Sequence, residues 1–205
     1  MSVTINGNGT ITGYTPPIAD GSITTAKLAN NAVTPAKSSG LQRRISTLIT
    51  LPTNTDGVVH NVTTGVKKIE IILSNVSGTG NTNLNVRLGT GGNSFETSGY
   101  GHGMGYHRGS STGREGTTSN STGAFTTLGL DSDSYQIYGK WELNNPQGNI
   151  WVSDLTLWGS AANNHQFWGS GYKETSSTLA QFILYVSSGN FDSGYLTVIE
   201  TMGDD

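Results

Sequence analysis

Phe182-Ile183-Leu184-Tyr185-Val186-Ser187-Ser188-Gly189-Asn190 runs on through Phe191-Asp192-Ser193-Gly194 into Tyr195-Leu196-Thr197-Val198-Ile199. The first five residues are apolar at both parities, which predicts a strand covered on both sides. The Ser-Ser-Gly-Asn cluster turns the chain, and Tyr195–Ile199 follows as the final strand. Outward from this pair, Lys68-Ile69-Glu70-Ile71-Ile72-Leu73-Ser74 places Ile69, Ile71 and Leu73 on one face. Asn83–Leu88 alternates in the same way, and Tyr135, Ile137, Trp141 and Leu143 alternate with Gln136, Tyr138, Lys140 and Glu142. These are half-buried antiparallel strands with one wet face. In Ile150–Trp158 the apolar phase shifts at Ser153–Asp154, which predicts a bulge. With Ile45–Leu51 and one or two strands from the middle of the chain, the total is eight or nine. No helical period occurs, so the fold expected is an all-β sandwich or barrel.

Composition agrees. The chain holds 29 glycines in 205 residues, about double the usual share of ~7%, a load that turns and closely approached strands tolerate and helices do not. A formal net charge of −3 lacks the basic footprint of a nucleic-acid binder. There is no cysteine, hence no disulfide and no thiolate metal site. No apolar run reaches the ~20 residues of a membrane-spanning helix, and residues 1–6 lack the pattern of a signal peptide.

Residues 1–40 read as a separate module from 41–205. Gly21-Ser22-Ile23-Thr24-Thr25-Ala26-Lys27-Leu28 recurs ten residues later as Asn31-Ala32-Val33-Thr34-Pro35-Ala36-Lys37-Ser38. Each unit offers only a couple of apolar side chains, here Ile23, Ala26 and Leu28, then Val33 and Ala36. That is too few to bury alone, so the segment is expected to gain its core from other chains as a stalk.

Catalytic signals are weak. Gly109-Ser110-Ser111-Thr112-Gly113 matches the nucleophile elbow only by letter, because that motif needs a strand before it and a helix after it. Asp131, Asp133, Glu142 and Asp154 offer a carboxylate pair for sugar hydrolysis on paper, but acids in such loops are ordinarily solvated. His102 and His107 stand five apart, on opposite faces of a strand, and so cannot share a metal without a bend. No catalytic residue, metal site or cofactor is expected. From Gly99 to Gly109 nearly every second residue is glycine, alternating with Tyr100, His102, Met104, Tyr106 and Arg108. At the strand period this is a bare face backed by a large-side-chain face, and bare faces occur where another backbone or a bulky ring comes very close, so this segment is expected as a strand whose glycine face presses against protein rather than ligand. Trp141 and Trp151 read as core, and Trp168 as exposed. A ligand is therefore expected on Tyr100, His102, Tyr106, His107 and Arg108, together with a loop carrying Trp168 and Tyr172. The competing reading has Tyr100 and Tyr106 filling the core beside the glycine face.

Two stretches carry a resemblance. Residues 20–38 resemble the N-terminal stalk repeats of phage tail-fibre proteins. Residues 66–201 resemble a recurrent phage virion jelly-roll domain, through Lys67-Lys68-Ile69-Glu70-Ile71, Asn85-Val86-Arg87-Leu88-Gly89 and the closing Tyr185–Val198 motif. Members often end in a Leu-Tyr-Gly strand, where this chain has Val198-Ile199-Glu200. The resemblance implies a jelly-roll-like antiparallel β-sandwich with an extended N-terminal stalk, homotrimeric and assembled into a virion. It implies a tail fibre that binds host-surface glycan or protein and attaches to another virion protein through residues 1–40, with no nucleic acid and no membrane insertion. The same fold also decorates phage heads, which is the alternative function. A glycan-degrading tail enzyme is a third.

Overall fold

The computed structural model describes residues 4–5, 11–12, 44–80, 82–108, 114–119, 123–127, 135–160 and 165–203. The chain divides into two compact units between Leu41 and Gln42. In the first, β1 (Thr4–Ile5) and β2 (Ile11–Thr12) pair antiparallel. Ile23, Ala26, Leu28, Val33 and Ala36 lie outside the described residues, as do Ser111, Asp131 and Asp133.

The second unit is all-β, with no helix among its described residues. Its strands are β3 (Arg44–Thr50), β4 (Gly57–Asn61), β5 (Val66–Gly78), β6 (Leu84–Gly91), β7 (Ser94–Phe95), β8 (Tyr100–Arg108) and β9 (Arg114–Ser119). They continue with β10 (Phe125–Thr126), β11 (Gln136–Gln147), β12 (Ile150–Ser160), β13 (His165–Glu174), β14 (Gln181–Val186) and β15 (Phe191–Met202). One sheet has the order β3-β15-β5-β11-β12-β13-β8-β9, and the other β10-β6-β14-β4 with β7 beside β6. All pairings are antiparallel. The pairs nest: β3 with β15, β4 with β14, β5 with β11 and β6 with β10, so the outermost strands in sequence are partners and each inner pair sits inside the last.

The two sheets enclose one apolar core, an arrangement consistent with a β-sandwich. Ile69, Ile71 and Leu73 of β5, Leu84, Val86 and Leu88 of β6, and Ile137, Trp141 and Leu143 of β11 are all buried in it. Period-2 alternation produced each set. Tyr100 ties the sheets together, because its hydroxyl accepts a 2.7 Å bond from the Leu88 amide and its ring meets Phe125 edge-on.

Two expectations need correction. β12 runs in unbroken register against β11 from Val152 to Ser160 and against β13 throughout, so no bulge occurs at Ser153–Asp154. Ser153 is a polar residue at an inward position, buried because its hydroxyl accepts the indole N–H of Trp141 at 2.8 Å. Nor is β14 covered equally on both sides. Phe182, Leu184 and Val186 are buried, whereas Ile183 and Tyr185 are half-buried on the outer face. Neighbours within the sheet shelter them: Ile183 lies over Gly57, and Tyr185 lies under the Arg87 guanidinium and accepts its N–H at 2.7 Å.

Candidate functional site

The site grows from the interlock between β8 and β13. Along β13 the outward residues are Gln166, Trp168, Ser170 and Tyr172, and the inward ones include Phe167, Gly169 and Gly171. Along β8 the outward residues are glycines and His107, and the inward ones are Tyr100, His102, Met104 and Tyr106. Register sets Trp168 opposite Gly105 and Tyr172 opposite Gly101 on the outside, and Gly169 opposite Met104 and Gly171 opposite His102 on the inside. Trp168, Tyr172, Met104 and His102 therefore each face a glycine across the ladder, two on either face of the sheet.

The fit is tight. A Cβ on Gly105 would stand 2.6–2.7 Å from three atoms of the Trp168 indole, and one on Gly101 would stand 2.7 Å from Tyr172 Cε1. These contacts place the Gly105 Cα against the Nε1–Cε2–Cζ2 side of the indole, so the ring packs on β8 while keeping 38% of its surface exposed. On the inner side, a Cβ on Gly169 would meet Met104 Cγ at 2.9 Å, and one on Gly171 would meet His102 Cβ at 2.7 Å. The bare face read from the sequence is thus occupied by protein: two aromatic rings of the neighbouring strand.

Trp168 is 38% exposed and Tyr172 60%. They stand four residues apart on one strand, about 13 Å at the usual rise, with Ser170 between them. Trp158 of β12, 45% exposed, joins them on the same face. It pairs with Gln166, one step diagonal to Trp168, close enough for large side chains to meet. Asp154 is in register with Ser170 and Thr156 with Trp168, so hydrogen-bonding groups surround the rings. Trp158 was not singled out by the sequence reading. Its signal was parity: it shares the phase of Asp154 and Thr156, the wet side of β12.

The remaining sequence candidates separate. Tyr100 is 3% exposed, a core residue withdrawn from any surface ligand, with Lys173 Nζ 5.5 Å from its ring centre. Burial pushes its phenol well above the ordinary range. Tyr106 is half-buried against His165 and Phe167. His102 faces inward beside a small cavity with Met104 and Phe125. Its Nδ1 is buried without a hydrogen-bond partner, and desolvation holds its imidazole below the usual 6.5. His107 lies on the outer side, opposite Gln166. Arg108 closes β8, and its side chain lies outside the described residues. The segment around Trp168 and Tyr172, expected as a loop, is strand β13, while residues 100–108 form the strand that the glycine alternation predicted. The glycines that suggested a loop are instead the partners of bulky residues across the ladder.

No protein-family model and no curated protein matches the chain. Chemistry must therefore be read from the site itself. Glu142 and Asp154 are in register across β11 and β12. Lys140 and Lys68 bind Glu142 at 2.8 and 2.7 Å. Those bonds hold its carboxyl below the ordinary value, whereas a general acid for glycoside cleavage needs a raised one. Glu142 is a salt-bridge hub. On β12 and β13 the exposed large hydrophobic side chains of this face are the three rings.

Proposed function

We propose that the chain is a structural protein of a phage virion, a trimeric tail fibre whose second unit is a jelly roll that binds host-surface glycan. The nested pairing supports the jelly roll, since two Greek keys folded from one doubled chain give the sheet orders β3-β15-β5-β11 and β4-β14-β6-β10. The β12–β13 hairpin and β8–β9 then extend the first sheet. The observation that carries the binding role is the partly exposed indole of Trp168, packed against Gly105 on the same sheet face as exposed Trp158 and Tyr172. Such rings offer a planar apolar surface with little entropy left to lose. Pyranose rings present a matching flat C–H face, and Asp154, Ser170 and Gln166 suit their hydroxyls. In this reading residues 1–40 are the stalk and attachment arm, with Ile23, Ala26, Leu28, Val33 and Ala36 packing between chains.

Replacing both Trp168 and Tyr172 by alanine tests the reading. Adsorption of the purified protein to host cells is expected to fall at least about tenfold, with melting changed by only a few degrees because both side chains stand on the outer face of the sheet, outside the core. Undiminished adsorption sinks the glycan role. Binding to empty capsids in place of cells assigns the protein to the phage head.

The trimer has its own candidate surface. Leu48 of β3, 69% exposed, and Ile72 of β5 both pair with Thr197 of β15, with exposed Tyr195 two residues away. Three adjacent strands thus present one apolar patch suited to further copies of the chain. Light scattering is expected to report three copies, and Leu48→Asp to lower the trimer fraction at micromolar concentration. A monomeric wild-type protein refutes the trimer.

A further inference from the structure

A cavity of about 250 Å³ opens at one end of the second unit and shares no lining residue with the aromatic face. Three connections meet there: β4 to β5, β11 to β12, and β13 to β14. Their backbones are tied down without any ligand. Thr63 donates through both its amide and its hydroxyl to the buried Glu200 carboxylate, which His60 also contacts at 3.1 Å. Asn145 Nδ2 donates to the Gly148 and Ile150 carbonyls at 2.8 Å each. Thr175 donates its amide to the Asn149 carbonyl at 3.0 Å and its hydroxyl to the Ser177 carbonyl at 2.7 Å. A site with fixed walls binds without first paying to order them.

The lining has a definite chemistry. Lys67 is the only charged residue in it, and no ion pair among the described residues includes Lys67. Its Nζ instead contacts Asn145 Oδ1 at 3.4 Å. Glu200, the acid behind Thr63, has its oxygens engaged by Thr63 and His60. Asn149 and Thr178 add neutral hydrogen-bonding groups, while the edges of the otherwise buried Trp151 and Leu179 supply carbon surface. Drug-sized ligands fill pockets of roughly 300–1,000 Å³, so this one takes a single small ring. One cation, neutral polar groups and an apolar wall together select against cations and against purely apolar molecules.

We propose that this cavity binds one acidic sugar residue of the hexuronate type. The carboxylate pairs with Lys67, hydroxyl groups meet Asn149 and Thr178, and the carbon face of the ring rests on Trp151 and Leu179. This site is independent of the aromatic face and stands whether or not that face binds glycan.

The test is an amide NMR titration of the full chain with D-glucuronate, and in parallel with D-glucose, acetate and inorganic phosphate. Saturating shifts centred on Lys67, Asn149 and Thr178 are expected from glucuronate at about 10 mM, a concentration above a millimolar affinity. Glucose and acetate should each give much weaker responses, since each holds half of the recognised chemistry. Lys67→Gln should raise the half-saturation point at least about tenfold, as should Thr178→Val in part, both with unchanged melting. Trp168→Ala with Tyr172→Ala should leave the response intact. No shifts from glucuronate, or shifts from acetate or phosphate equal to those from glucuronate, overturn the proposal.

Discussion

Replacing Trp141 by alanine is expected to lower the melting temperature by roughly ten degrees. Trp141 is fully buried in the core of β11, and its indole N–H reaches the Ser153 hydroxyl at 2.8 Å. Removing so large a buried ring costs about 3–5 kcal/mol through lost transfer energy and the cavity left behind. In a unit of this size each kcal/mol moves the midpoint by about 2–4 °C. A second cost follows, because Ser153 is itself buried and loses the donor that satisfied it. Ser153→Ala should cost less, about 1–3 kcal/mol, as the indole N–H is then the orphan. Thermal unfolding followed by circular dichroism reads both. A shift below about 3 °C for Trp141→Ala would mean that the ring is not the core element described here.

The Trp141–Ser153 bond also explains where the sequence could be read and where it could not. Alternation located the strands because a sheet with one wet face writes its burial into parity, as in Ile69, Ile71 and Leu73. Parity fails where an inward position is polar for a private reason. Ser153 looked like a phase shift because its partner stands 12 residues earlier, on another strand. Glycine misled in β13 for the same reason. Gly169 and Gly171 carry the composition of a loop, whereas the alternation at Gly101 and Gly105 already marked a bare strand face, and the register of β8 against β13 makes Gly101, Gly105, Gly169 and Gly171 the seats of Tyr172, Trp168, Met104 and His102. The aromatic character of the surface was legible in Trp168 and Tyr172, and the inclusion of Trp158 was not, since β12 had to be placed beside β13 first. The end cavity gave no signal at all. Its lining comes from Lys67, Asn149 and Thr178, which no local pattern connects.

Gly105→Val should abolish most of the glycan binding proposed for the aromatic face while removing none of its rings. A Cβ at position 105 would fall 2.6–2.7 Å from Trp168 Cε2, Cζ2 and Nε1, closer than real contacts permit, so the indole must lift from the sheet. Valine suits a strand, and β8 keeps its ladder with β13, so the loss is local to the ring. Stacked aromatic contacts are worth about 0.5–1.5 kcal/mol beyond their buried area, so losing the orientation of this one should weaken binding up to roughly tenfold. The decisive measurement is a double-mutant cycle on isolated host-surface polysaccharide. If Gly105 acts only by seating the indole, Gly105→Val has no further effect once Trp168 is alanine. Additive losses in the double variant would mean that β8 contacts the ligand directly, and the flat indole would then not be the element that makes this face bind.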